Sequence, residues 1–187
     1  MIFLEVHNLT KFILIRHCAA QGQAPEATLT EAGFEQAQQL ANFLENYSLD
    51  RIISSPFTRT IQTITPYALR HNIEIEIDER LQERVLSSEN MPDWFEKLQQ
   101  SFIDKTIKYT GGESSNEATH RILSLIEELK ISDSETIALV SHGYLSTMLL
   151  HSISPDFGFD EWQQLTNPDV FVIEMDASGR RFKRVWR

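Results

Sequence analysis

Two histidines stand at the ends of short apolar runs: His17 after residues 11–15 (KFILI), and His142 after residues 136–140 (TIALV) and Ser141. Runs of that length and composition read as buried strands of an α/β sheet, and parallel strands deliver the residues at their C-terminal ends to one edge. Arg16 precedes the first histidine, and Arg59 follows a third strand-like stretch, residues 51–54, near the start of a helix. Two imidazoles and two guanidinium groups can therefore converge on one cleft. Guanidinium groups match phosphate oxygens as planar forks of donors, and a transferring phosphoryl group spreads negative charge over its equatorial oxygens. A neutral imidazole can attack phosphorus directly, and neighbouring arginines keep His17 from taking up a proton. The chemistry these residues suit is phosphoryl transfer without a metal or another cofactor.

That chemistry also needs a carboxylic acid to protonate the departing alkoxide and later to accept a proton from water. Glu83 is the preferred candidate, and Asp78 and Glu79 compete with it in the same stretch. Acidic residues do not gather around either histidine with ligand-like spacing, which argues against a metal-dependent hydrolase. Cys18, the only cysteine, adjoins His17. A cysteine phosphatase would need an arginine closing the phosphate loop, where Ala24 stands instead. His7, His71, His120 and His151 sit in no such context.

The elements that must position these residues follow from periodicity. Thr30 caps a helix in which Phe34, Ala37, Leu40, Ala41, Leu44 and Tyr47 recur at helical spacing. Ser55-Pro56 reads as a cap followed by proline at the first helical position, which puts Arg59 in the first turn or so. Ile73, Ile75 and Ile77 alternate with acidic residues, as in a strand with one wet face. Residues 92 to about 107 predict a helix. Ser114 and Glu117 form a capping-box pattern after Gly111-Gly112. A helix follows His142, and residues 170–175 and 182–186 predict a closing hairpin.

Composition sets outer bounds. The chain has 187 residues, 41% of them apolar, with a net charge of −10. One domain spanning residues 1–187 is expected, large enough to need no disulfide. The negative charge disfavours nucleic acids and anionic membranes, leaving a small phosphorylated substrate as the expected partner. The segment before residue 10 lacks the basic region of a signal peptide, and no stretch approaches the roughly 18 apolar residues of a spanning helix. With one cysteine, a reducing, cytoplasmic setting is expected. The basic residues from Arg180 to Arg187 read as a solvated edge strand. Oligomeric state leaves no signature.

From about residue 11 to 174 the chain resembles the histidine phosphatase, or phosphoglycerate mutase-like, superfamily. Arg16-His17 matches its Arg-His-Gly motif. Leu29-Thr30, Gly33 and Gln36-Ala37 match its first helix, and Ser54-Ser55-Pro56 with Arg59 and Gln62-Thr63 its second-arginine motif. Residues 111–114 and 140–143 match the later segments, in order. The resemblance implies a three-layer α/β/α sandwich with a mostly parallel sheet and a phosphohistidine at His17. Arg16, Arg59 and His142 would complete the phosphate pocket, with Gly143 beside it and Glu83 as the acid. Gly143, not an aspartate, follows His142, unlike the acid-phosphatase branch.

Two positions depart from the family pattern. Cys18 replaces the motif glycine, which is expected to strain the phosphate-binding turn. Gln23 stands where many members carry asparagine and is a candidate substrate contact. Hydrolysis of small phosphomonoesters is the expected activity. A mutase, a binding member without turnover, and a phosphatase of phosphohistidine proteins are the alternatives.

Overall fold

The computed structural model describes residues 10–130, 136–176 and 179–186. The expectation about a signal peptide falls on residues outside these. The described residues build one six-stranded sheet in the order β3-β2-β4-β1-β5-β6. β1 (Thr10–Arg16) lies at its centre, parallel to β4 (Thr136–Ser141) and antiparallel to β5 (Asp169–Asp176). β2 (Arg51–Ser54) pairs in parallel with β4 and with β3 (Ile75–Ile77), and β6 (Gly179–Arg184) closes the hairpin with β5.

Side-chain alternation along β1 divides the core in two. Ile13 and Ile15 pack on one face with Ala37, Leu40 and Leu44 of α1 (Glu31–Leu44) and Ile64 of α2 (Thr58–His71). Phe12 and Leu14 pack on the other with Ile122 and Ile126 of α4 (Ser115–Leu129) and Leu149 of α5 (Gly143–Ile153). Because both faces of β1 and β4 are covered, those strands carry apolar residues on both sides of the pleat. The result is the three-layer α/β/α sandwich with a mostly parallel sheet. Two further helices, α3 (Trp94–Ile103) and the short α6 (Phe159–Gln163), lie outside the layers that pack on the sheet and border the cleft described below. Among the described residues no helix is long and apolar enough to cross a membrane.

The local signals held where side chains satisfied backbone groups. Thr30 Oγ1 accepts from Gly33 N at 3.0 Å, and Ser114 and Glu117 complete a reciprocal capping box. Each such cap is worth about 1 kcal/mol. Elsewhere the boundaries moved. α2 begins at Thr58 with Phe57 at its N-cap, not at Ser55-Pro56. Ser55 N donates to Val140 O at 2.9 Å, extending the strand pairing, and its hydroxyl meets His142 instead of capping a helix. α1 stops before Tyr47, and Phe34 is half exposed on its outer face. The edge strand β3 retains only Ile75–Ile77, with Ile77 exposed, so the alternation there has no fully buried side. β6 ends at Arg184 because Val185 and Trp186 both turn their N–H groups onto Val170 O. The basic cluster is an edge strand whose arginines are paired: Arg180 with Glu127, Arg181 with Glu174 and Asp176, and Arg184 with the fully buried Asp169.

Candidate active site

Register brings the two histidines together. Arg16 is opposite Ser141 in the β1–β4 pair, so His17 and His142 leave adjacent strand ends. Their ring centroids are 5.2 Å apart. Both are buried, His17 at 8% exposure and His142 at 0%.

Arg59, in the first turn of α2 and only 1% exposed, bridges them. Its Nε donates to His17 Nε2 and its Nη2 to His142 Nδ1, both at 3.2 Å. Its Nη1 donates to the carbonyls of Gln23 and Ala24 at 3.2 and 2.9 Å, tying the guanidinium to the loop after β1. A guanidinium only donates, so each imidazole nitrogen facing it carries a lone pair. His17 Nδ1 lies 2.7 Å from Cys18 O, which only accepts, so Nδ1 holds the proton and Nε2 the lone pair. His142 Nε2 correspondingly donates to Ser55 Oγ at 2.9 Å.

Electrostatics supports the neutral forms. Burial, followed by the nearby Arg59 and Arg16, holds His17 down to about 4 from the ordinary 6.5. Burial and the facing His17 and arginines push His142 down as well. A consequence for stability follows. Between pH 6.5 and about 4 the unfolded chain binds a proton at His17 that the folded chain refuses, so stability falls as the pH drops through that window. The difference is about 3 kcal/mol at full extent. Denaturant unfolding at pH 7 and pH 4.5 is expected to show a smaller acid loss for His17→Gln than for the unaltered protein. Equal losses would contradict the refused proton.

Arg16 reaches the cleft from the other side. Its Nη1 donates to Leu165 O and Thr166 O at 3.0 and 3.3 Å, while its Nε has no partner. Gly143 leaves the room for this: a Cβ there would lie 3.2 Å from Arg16 Nε and 3.3 Å from Cζ. Gly143 thus acts by what it lacks. The loop holding Arg16 is itself braced. Asn167 Nδ2 donates to His17 O at 2.7 Å, and Asp169 accepts from Thr166 N while paired with Arg184.

Glu83 is placed by a chain of contacts after β3. Asp78 N donates to Ser54 O, and Ser141 Oγ to Leu81 O at 2.9 Å, which anchors the turn 79–81 at the same sheet edge. The Glu83 carboxylate then accepts from Tyr144 N and Leu145 N, at the start of α5, at 3.0 and 3.1 Å. Helix N-termini favour such an acceptor. Glu83 lines one cleft of about 610 Å³ with Arg16, His17, Gln23 and Gly143. Of the competing carboxylates, Asp78 is bound up with Arg80, and Glu79 does not line that cleft but opens onto an adjoining hollow that Glu83 also lines. Gln23 is at the cleft, where its backbone carbonyl holds Arg59.

Cys18 corrects the expectation of strain. Among the described residues Asn72 is the non-glycine residue with a positive φ, so the turn at Cys18 does not use the left-handed region. Its N–H donates to Thr63 Oγ1 at 2.9 Å, its side chain is buried in the core, and burial pushes the thiol up to about 12. Such a thiol is no nucleophile. Close packing does require a glycine at Gly33, where a Cβ would fall 2.0 Å from Ala19 O. Nearby, Gln36 and Gln62 accept from Ala19 N and Leu29 N at 2.9 and 2.8 Å, pinning the loop that follows His17. Ser55, Thr63, Asn167 and Asp169 are supporting residues that the sequence reading did not assign. Ser55 and Thr63 lie within the family motifs, Asn167 acts across nearly the whole chain and leaves no local signal, and Asp169 acts on Thr166 and on Arg184 of the closing hairpin. Among the described residues no group of three His, Cys, Asp or Glu side chains is arranged to hold a metal ion.

A sequence model of the histidine phosphatase superfamily (branch 1) matches residues 12–186, and the chain belongs to that superfamily. It is 29% identical over 151 residues to phosphoserine phosphatase 1 of Hydrogenobacter thermophilus, covering 72% of this chain and 71% of the relative. It is also 29% identical over 163 residues to a probable phosphoglycerate mutase of Proteus mirabilis, covering 81% and 74%. Among solved structures, a mycobacterial hydrolase superposes with a TM-score of 0.77 at 23% identity, covering 95% of this chain and 98% of the other. A mycobacterial glucosyl-3-phosphoglycerate phosphatase with inorganic phosphate gives a TM-score of 0.76 at 23% identity, covering 95% and 96%. At those identities the structural likeness establishes the fold alone.

Proposed function

We propose that this chain hydrolyses phosphomonoesters through a phosphohistidine formed on His17. The observation that carries the reading is the pinned imidazole. With Nδ1–H held by Cys18 O, the lone pair of Nε2 meets the buried Arg59 behind the wall of a cleft that His17 lines together with Arg16 and Glu83. A phosphate seated there would take over the N–H groups that Arg59 now gives to the histidines. In the first step Nε2 bonds to phosphorus as the ester P–O bond breaks, and Glu83 gives its proton to the leaving oxygen. The imidazole then carries positive charge, which the Nδ1–H bond to Cys18 O stabilises. In the second step water attacks phosphorus, its proton passes to Glu83, and inorganic phosphate departs from a restored neutral His17. Phosphoserine phosphatase 1 among the relatives agrees with this class of reaction.

The test is hydrolysis of an aryl and an alkyl phosphate in excess chelator by the unaltered protein and by Glu83→Gln. The unaltered protein is expected to keep its activity. In the first turnover, Glu83→Gln is expected to release the alcohol about 10²- to 10⁴-fold more slowly from the alkyl ester and to be slowed far less on the aryl ester, whose leaving group departs unprotonated. Loss of activity in chelator, or equal slowing of that first release on both esters, would contradict the scheme.

Cys18 no longer argues for a member without turnover, since its backbone needs no glycine. Cys18→Gly is expected to leave turnover within about threefold and to cost about 1 kcal/mol of stability through added chain freedom and lost burial. A large rise in turnover would instead revive the reading of a degenerate binding protein.

A further inference from the structure

The cleft extends well beyond the space a phosphoryl group needs. Past Arg16 and His17 it is lined by Leu86, Met91, Trp94, Leu98, Tyr144 and Trp162. Trp94, at the start of α3, is 52% exposed, a large apolar surface left open at the cleft wall. Behind the wall lies a continuous aromatic cluster. Phe102 meets Tyr144, Phe159 and Trp162 with centroids 4.9, 5.5 and 6.2 Å apart, and Phe95 meets Trp94 at 5.5 Å. Packing of this kind fixes the wall before any ligand arrives.

The charges around the cleft point the same way. The arginines lining it are Arg16 and Arg84. Arg16 belongs to the phosphate end. Arg84 is 6% exposed, with its Nε given to Glu113 O and its Nη1 to Ser101 Oγ, both at 2.7 Å, and its guanidinium stacked 4.6 Å over the Tyr144 ring. Its Nη2 makes no hydrogen bond and is shut off from solvent, so a ligand in the cleft does not reach it. Glu89 also lines the cleft and repels a second anionic group.

Resting on the hydrolase reading above, we infer that the alcohol portion of the substrate is apolar, flat or bulky, and carries no carboxylate. Apolar surface buried against Trp94 and its neighbours supplies the selectivity, and a carboxylate would find no counter-ion. The substrate class therefore differs from the amino-acid and glycerate esters named for the relatives.

Phenylethyl phosphate and phosphoserine separate this inference from the reading beneath it, because both release a primary alkoxide and differ mainly in what the cleft must hold. The unaltered protein is expected to prefer phenylethyl phosphate by about 30-fold in kcat/KM. Binding of each ester to His17→Ala, followed through tryptophan fluorescence, is expected to show the same order. Trp94→Ala is expected to shrink the preference about tenfold. Equal or better use of phosphoserine, with tighter binding to match, would overturn the inference and show that Arg84 opens to receive a carboxylate. Absence of turnover on either ester would sink the hydrolase reading alone. Tighter binding of phenylethyl phosphate would still support the apolar cleft in that event, and tighter binding of phosphoserine would refute it.

Discussion

Replacing His17 by alanine is expected to lower phosphomonoester hydrolysis by about four orders of magnitude or more, while the protein stays folded. The reason is that nothing nearby can substitute. The Cys18 thiol is buried and held protonated far above neutral pH. His142 is fully buried, has Nδ1 occupied by Arg59 and donates its Nε2–H to Ser55, so neither of its nitrogens is free to attack. The side chain of His17 makes two hydrogen bonds, to Cys18 O and from Arg59. Losing them costs little stability, and above pH 6.5 no proton penalty exists to be relieved. Circular dichroism and denaturant unfolding check the fold, and initial rates check the chemistry. Residual activity within a hundredfold of the unaltered protein would mean that another group attacks phosphorus.

The second large effect is expected at Arg59. Arg59→Lys keeps the charge and removes the fork that spans His17 Nε2, His142 Nδ1 and the carbonyls of Gln23 and Ala24. An ammonium is a point donor on a thinner stem and cannot hold both imidazoles and the loop at once. Transition-state charge then loses its positioned donors, and turnover is expected to fall about 10²- to 10⁴-fold. The loop also loses its anchor, so the melting temperature is expected to drop as well. The two readouts separate the roles. Saturating inorganic phosphate is expected to stabilise the unaltered protein through Arg59 and to stabilise the lysine variant much less. Turnover within threefold of the unaltered protein would show that charge alone suffices.

The parts of this site that could be read from the chain are those whose physics is local. Residues 12–15 and 137–140 are apolar without alternation, as suits strands covered on both faces, and that places His17 and His142 at one edge. Arg59 follows a strand end by a fixed short distance, so its arrival at the same edge needed no tertiary knowledge. Ser55-Pro56 misled because a serine before proline resembles a helix cap, while its hydroxyl was committed to a histidine 87 residues away. The glycine expected at position 18 misled in the other direction, since the turn there uses ordinary backbone angles. The choice of Glu83 over Asp78 and Glu79 became a matter of geometry only once the N-terminus of α5 lay beside it. The Asn167 brace and the apolar cleft wall depend on residues brought together from distant segments and have no periodic signature.

The most direct measurement is to mix the protein with substrate, quench within the first turnovers at alkaline pH, and locate phosphoryl groups on its peptides by mass spectrometry. Phosphohistidine is stable to base and labile to acid, which distinguishes it from phosphoserine and acyl phosphate. The account predicts a phosphoryl group on His17, at the ring nitrogen Nε2, absent from His17→Ala and accumulating when Glu83→Gln slows its hydrolysis. Turnover with no phosphoryl group on His17 under those conditions, or one found on another residue, would contradict it.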